Sequence, residues 1–276
     1  MSDAPAIALA NLSVIYGPRP AAMLEKVHAL AAAGATPTDI RAATGHTPGL
    51  IDVSLTIPAG SLFVVMGLSG SGKSTLLRTI NRLVTPVAGR VTVGGEDVTA
   101  LGAEGLRAYR RATTAMVFQT FGLLPHRSVV DNVAFPLRIA GRSATEARRS
   151  ASGWLERLGL GGHAGAGLDE LSIGMKQRVG LARALVTGAT VLLMDEPFSA
   201  LDPITRRALQ DEVRGLQRDL GKTVVLITHD PLEARRLADR IAVVRAGRIV
   251  QTGTPAELVA RPADPHVAAL FAAAEV

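Results

Sequence analysis

The stretch Gly67-Leu68-Ser69-Gly70-Ser71-Gly72-Lys73-Ser74-Thr75 decides how this chain folds. It fits the phosphate-binding loop pattern G-x-x-x-x-G-K-[ST]. Its flanks agree with that reading. Ser61 to Met66 is a short apolar run that predicts a buried strand, and Ser74 to Arg82 predicts a helix. Glycines let backbone N–H groups turn inward and approach phosphate oxygens closely. The helix N-terminus adds the positive end of its dipole. In that arrangement Lys73 reaches the β- and γ-phosphates and the Ser74 hydroxyl binds Mg²⁺. The plainer alternative, a Gly/Ser-rich turn before a helix, does not account for strand, loop and helix occurring together.

Length and composition bound what surrounds the loop. A chain of 276 residues holds one large or two modest domains. Apolar residues make up 47%, which excludes general disorder, and aromatics only 3%, so the core is aliphatic. There is no cysteine, hence no disulfide and no thiolate metal site. Met1-Ser2-Asp3-Ala4-Pro5 lacks the layout of a signal peptide, and Ser2 stands where myristoylation needs Gly. The longest uncharged run, Val53 to Gly72, is interrupted by Pro58, Gly60 and the loop, so it reads as strand plus loop and not as a membrane span. The net charge is +6, with arginines scattered and no basic block interleaved with aromatics. A solvated surface is expected, with no nucleic-acid partner.

Along the chain, Ile7 to Tyr16 predicts a first strand ending at Gly17-Pro18. Tyr16 either stacks on a nucleotide base or simply closes that strand. Arg19 to Leu50 differs in kind. Ala21 to Ala33 reads as a helix stopped by Gly34, and Thr36-Pro37 starts a second short helix. Such a pair also describes a DNA-reading helix-turn-helix, but its second helix is short and poor in base-reading side chains. Strands are expected at Leu50–Ile57, Arg90–Val93 and Ala115–Phe118. Helices follow from Val129 to Gly188, one opened by the capping box Ser143–Glu146 and another spanning Ser172 to Val186. Strands return at Val191–Met194, Thr223–Thr228 and Ile241–Val244, with a charged helix, Pro203 to Leu220, between the first two. Alternating strands and helices imply a mostly parallel sheet covered on both faces, with the helical middle inserted between two halves.

The second half supplies the complementary chemistry. Val191-Leu192-Leu193-Met194 is an apolar strand ending in Asp195-Glu196. Beside a phosphate loop, Asp195 would hold Mg²⁺ and Glu196 would accept a proton from the attacking water. The alternative is two acids capping a helix. His229 ends the next strand, the edge of an open parallel sheet at which ligands bind, and so is placed to reach the γ-phosphate. In Leu171-Ser172-Ile173-Gly174-Met175-Lys176, Ser172 and Gly174 open a helix and make a further anion site.

Taken together, the chain resembles the ATPase subunit of ATP-binding-cassette (ABC) transporters, and within them the importers of osmoprotectants such as glycine betaine, proline and choline. The resemblance implies an α/β phosphate-loop NTPase (RecA-like) core with a mostly parallel sheet, a flanking antiparallel β part and an inserted α-helical subdomain. It divides one domain, 1–276, into a core of 1–118 and 189–250, a helical insert at 19–50, a helical subdomain at 119–188 and a helical tail at 251–276. By the same resemblance, Gly67 to Thr75 is Walker A and Val191 to Glu196 is Walker B. Gln119 is the Q-loop residue and joins Ser74 and Asp195 as a metal ligand. Ser199-Ala200-Leu201-Asp202 is the D-loop, His229 the switch histidine, and Tyr16 the adenine-stacking aromatic. Leu171 to Met175 is the signature, serving the ATP of a second copy of the chain.

The osmoprotectant subgroup is suggested by the insert Arg19 to Leu50, by Met66 to Lys73, and by Leu124-Pro125-His126 through Asp131-Asn132. The implied cofactors are ATP and Mg²⁺. The implied partners are a second copy, an integral-membrane permease and, indirectly, a solute-binding protein, at the cytoplasmic face of the membrane. An importer for another solute such as an amino acid, or a soluble non-transport ATPase of the same family, is the alternative. The signature departs from the family in Ile173, where Gly is normal, and in Lys176, where Gln is common. Some relatives carry a regulatory cystathionine-synthase-type pair after the position of Val276, and none is expected within this chain.

Overall fold

The structure is a computed structural model that describes residues 5–272. Residues 1–4, which carry most of the N-terminal reading, and 273–276 lie outside the described residues. In chain order the elements are β1 (Pro5–Tyr16), α1 (Leu24–Ala32), α2 (Pro37–Thr44), β2 (Thr47–Pro58), β3 (Leu62–Met66), α3 (Lys73–Ile80), β4 (Ala88–Val93) and β5 (Glu96–Asp97). Then come α4 (Ala103–Ala112), β6 (Thr114–Val117), α5 (Val129–Ile139), α6 (Ala144–Arg157), α7 (Ile173–Leu185), β7 (Val191–Asp195) and α8 (Pro203–Leu220). The last are β8 (Thr223–Thr228), α9 (Pro231–Leu237), β9 (Arg240–Arg245), β10 (Arg248–Gly253), α10 (Pro255–Ala260) and α11 (Pro265–Ala272). The chain divides into two compact units, Met1–Leu106 with Ile227–Val276, and Arg107–Leu226.

The first unit contains the flanking antiparallel sheet, in the order β2-β1-β4-β5. Leu9 pairs with Leu55 on one side and Val91 on the other, and all three are buried. The insert packs on this sheet. Val27 of α1 and Ile40 of α2 are fully buried and form one cluster with Ile15 of β1 and Ile51 of β2. Full burial of such a side chain is worth about 1.5–3 kcal/mol. These helices have 9 and 8 residues, too short to be stable alone in water, so the packing carries them. Thr36 and Asp39 close the start of α2 as a reciprocal capping box, and Gly45 ends it in the left-handed conformation.

In the same unit β3 pairs in parallel with β9, Val64 opposite Ile241 and Met66 opposite Val243, and β10 pairs antiparallel with β9. Every residue of β3 is buried, as expected of a parallel strand covered on both faces. Its last residue, Met66, delivers the chain to Gly67. Strand β10 carries the chain on to Gly253, so the helical tail starts at Pro255 and not at 251. The alternation in Arg248–Gly253 is imperfect, and the sequence reading passed over it.

The second unit pairs β6 with β7 in parallel, Thr114 opposite Val191 and Val117 opposite Met194. Helices α5, α6 and α7 pack on one another. Helix α6 opens with the expected Ser143–Glu146 capping box. Helix α8 starts at the Asp202 cap and stops at Gly221, left-handed at φ 60°. Helix α7 packs on β6 and α8 as well as on α5 and α6.

Candidate functional site

In the first unit the phosphate loop is pinned by backbone from two directions. A Cβ on Gly67, at φ 152°, would stand 2.1 Å from the Val244 carbonyl oxygen. A Cβ on Gly72, at φ 108°, would stand 2.5 Å from the Gly49 carbonyl oxygen. Only glycine fits either place. Gly247 N donates to Ser71 O at 2.8 Å, and Ile51 N donates to Gly247 O at 2.8 Å. The β9–β10 turn and the start of β2 therefore hold the loop. Gly49 and Gly247 are the residues that sequence reading missed here. Gly247 sits in a recognisable turn, but nothing local says that this turn braces another loop.

Lys73 begins α3 and is buried, its Nζ donating to Gly67 O at 2.8 Å and Leu68 O at 2.9 Å. The ammonium is thus folded over the loop's own mouth. Ser71 is buried and its Oγ has no hydrogen-bond partner among the described residues. A buried hydroxyl without a partner is costly. A cradle with a folded ammonium, an unpartnered hydroxyl and a helix start fits a phosphate chain. Leu68, Ser69 and Gly70 form the exposed crest of the loop. Ser74 and Thr75 follow on the first turn of α3.

Tyr16 ends β1, and its ring lies against Gly49, where a Cβ would be 2.7 Å from Cε2. Its hydroxyl is hydrogen-bonded to Thr75 Oγ1 at 3.0 Å, yet the residue is 44% exposed. A ring fixed at its base and its tip with an open face is what a stacking platform requires. His46, the residue that leads out of the insert, has its ring nitrogens 2.7 Å from Thr44 O and 2.7 Å from Pro18 O. It ties the two ends of the insert together beside Tyr16. His229 follows the fully buried strand β8 and is exposed, next to Asp230, which caps α9.

The second unit gathers the other candidates. Asp195 ends β7 and is buried. Glu196 follows in the left-handed conformation, φ 44°, a placement that costs a non-glycine residue about 1–3 kcal/mol. Its Oε2 receives a hydrogen bond of 3.5 Å from Gln119 Nε2. Gln119 and the acid after β7 thus face each other within one unit. Ser199 Oγ donates to Glu196 O at 3.1 Å. Asp202 accepts from Ile204 N and Thr205 N at 3.1 and 3.0 Å. Hydrogen bonding from Thr205, side chain first and backbone next, holds the Asp202 carboxyl below the ordinary value. Leu201 is buried and Ala200 exposed.

The stretch Leu171 to Met175, expected to be the signature, lies at the start of α7. Leu171 is buried, and Ser172 caps the helix by accepting from Met175 N at 3.3 Å. A Cβ on Gly174 would lie 2.6 Å from Thr205 Cγ2. Gly174 is therefore needed where α7 approaches α8. Ile173, next to it, is 50% exposed. The departure from the family pattern falls at the position with room for it.

Residues Gln119 to His126 continue from β6 as a loop, and beside it lies a cavity of about 420 Å³. Phe118, Phe135 and Ile139 give it an apolar lining, and Arg110, Arg111 and Arg142 give it charge. Among the described residues no helix is long and apolar enough to cross a membrane.

Residues 50–199 match the family described as ABC transporter. The glycine betaine/proline betaine transport system ATP-binding protein ProV of Salmonella typhimurium is 45% identical over 266 residues, 96% of this chain and 66% of that protein. The methionine import ATP-binding protein MetN of Caulobacter vibrioides is 53% identical over 221 residues, 80% of this chain and 66% of that protein. The chain thus spans about two thirds of the length of these relatives. A solved dimeric structure of the ATP-binding cassette MJ0796, in a post-hydrolysis state bound to ADP and Pi, is similar with a TM-score of 0.75 and 30% identity, covering 90% of this chain and 98% of that one. The α/β fold of parallel and antiparallel strands with helices agrees with that neighbour. With the braced phosphate loop, the Asp195-Glu196 strand end and the Ser172-capped helix in place, the chain belongs to the ABC transporter family.

Proposed function

We propose that this chain is the ATP-hydrolysing subunit of an ABC importer, energising uptake of a quaternary amine or related osmoprotectant such as glycine betaine, choline or proline. The observation that carries the ATPase reading is the glycine-built loop with Lys73 folded over it and the Ser71 hydroxyl unpartnered beneath. Its amides and Lys73 hold the β- and γ-phosphates, with the adenine on Tyr16. Ser74, Gln119 and Asp195 are the groups that would hold Mg²⁺, which when bound neutralises phosphate charge. Glu196 takes a proton from the water that attacks the γ-phosphorus. The bond from that phosphorus to the bridging oxygen breaks, leaving ADP and phosphate. His229 contacts the γ-phosphate. A second copy of the chain supplies Leu171 to Met175 to each ATP, with Ser199 to Asp202 beside them.

In this reading the units of the molecule are the parts of one ABC ATPase domain, with the helical insert at 19–50 as a subgroup feature. The loop Gln119 to His126 and helices α5 to α7 face a membrane permease, so the chain sits peripherally at the cytoplasmic face, and a solute-binding protein acts through that permease. Extent of match favours the osmoprotectant. The relative named for betaines aligns over 96% of the chain, against 80% for the one named for methionine. The higher identity of the latter, 53% against 45%, is what favours the second reading, an amino-acid importer. Deleting the gene and measuring ATP-dependent uptake of labelled betaine, choline, proline and methionine separates the two. Loss of methionine uptake alone would transfer the proposal to the second reading.

A further inference from the structure

Arg183 lies near the end of α7, one helix length from the signature residues. Its guanidinium reaches across to the loop after β6. Nη1 donates to Gly122 O at 2.6 Å and Nη2 to Phe121 O at 2.7 Å. The fork therefore spans two successive carbonyls, a match that a single ammonium makes poorly. Both acceptors belong to residues in the left-handed conformation, Phe121 at φ 61° and Gly122 at φ 57°. For a bulky side chain such as Phe this backbone is strained. The turn closes on itself, Phe121 N donating to Phe118 O at 3.1 Å and Gly122 N to Thr120 O at 2.7 Å.

The clamp is built without an acid. Arg183 makes no ion pair among the described residues, and burial alone pushes its guanidinium below the ordinary arginine value. A half-buried cation held by two carbonyls is an expensive way to fill space. Gln119 stands two residues before Phe121, and its Nε2 meets Glu196 Oε2. Arg183 and Gly122 also line the 420 Å³ cavity.

We infer that Arg183 is a positioning residue: it fixes the strained turn at Phe121–Gly122 to the signature helix, and thereby sets Gln119 against Glu196. The inference rests on the transport-ATPase reading, in which Gln119 and Glu196 serve hydrolysis. Because the clamp joins the loop to α7, the two move as one piece.

The test uses the chain assembled with its permease, in membranes. Arg183→Met removes both donors, and Arg183→Lys keeps the charge and N–H donors but loses the planar fork that spans both carbonyls. We expect turnover to fall about tenfold in Arg183→Met, less in Arg183→Lys, with KM for ATP within twofold in both. Gly122→Val attacks the same contact from the loop side, since a Cβ there meets Phe118 at 3.3 Å in a left-handed backbone. It should show the same split of kcat from KM. The double variant should be no slower than the slower single one.

A folded Arg183→Met transporter within twofold of normal turnover would overturn the inference, as would a rise in KM with kcat kept, or losses that multiply in the double variant. If Arg183→Met does not fold, Gly122→Val decides on the same criteria. If the unaltered transporter hydrolyses no ATP, it is the parent reading that fails. Normal hydrolysis with unaffected variants defeats the Arg183 role alone.

Discussion

The Tyr16 hydroxyl and Thr75 Oγ1 stand 3.0 Å apart, a hydrogen bond that joins the end of β1 to the first turn of the phosphate-loop helix. The ring is held in place while one face stays open, with Gly49 behind it. If that face carries adenine, Tyr16→Ala should weaken ATP binding about 5- to 150-fold, the equivalent of ~1–3 kcal/mol for a base on an aromatic ring. Tyr16→Phe keeps the ring and loses only the tie to Thr75, so it should stay within about tenfold of the normal affinity. Calorimetric titration of both variants checks this. Equal losses in the two would mean that the ring is not the platform.

Ile173 projects from the start of α7 while Gly174 turns toward Thr205. In the proposed sandwich that half-exposed side chain would face the ATP of the second copy. With Glu196→Gln to block turnover, the protein should dimerise in ATP and Mg²⁺ despite Ile173, as light scattering would show. A monomer at all concentrations, with ATP demonstrably bound, would contradict a self-sufficient sandwich. Ile173→Gly would then be expected to restore it.

Arg148 grips Asp131 through Nε at 2.8 Å and Nη2 at 3.0 Å, linking α6 to the start of α5. That pair, with help from the Ser128 hydroxyl and against partial burial, holds the Asp131 carboxyl below its ordinary value of 3.8. A depressed carboxyl stabilises the fold above its unfolded-state pKa, and the contribution disappears as pH falls through the lower folded-state value. Asp131→Asn should therefore be less stable than the unaltered chain near neutrality, with the difference shrinking as pH drops below 3.8. Urea denaturation across pH checks the sign. A difference that grows toward acid would contradict it.

Much of this molecule was legible in the chain because its signals are local. The phosphate loop, the capping box at Ser143, and the buried strands β3 and β7 each declare themselves within about ten residues, whereas at Thr36 only the helix start was legible and not its reciprocal cap with Asp39. Glu196 was legible as an acid, but its left-handed backbone was not, because nothing about a glutamate announces φ 44°. The braces were hidden as well. Gly49 and Gly247 hold the loop through carbonyl contacts that only the assembled first unit creates, and Arg183 reaches carbonyls 61 and 62 residues away. An arginine in an amphipathic helix reads as surface charge until the turn it clamps is known. The strand at Arg248–Gly253 was lost for a different reason: its buried face is incomplete, with only Gly253 fully covered.

The central claim is that Glu196, facing Gln119 at the end of β7, activates the water that cleaves ATP. The most direct measurement is steady-state ATP hydrolysis by the chain assembled with its permease, comparing the unaltered protein with Glu196→Gln. The amide keeps the shape and loses the proton acceptor, so turnover should fall about 10²- to 10⁴-fold while ATP still binds. Turnover within a few-fold of normal would contradict the account.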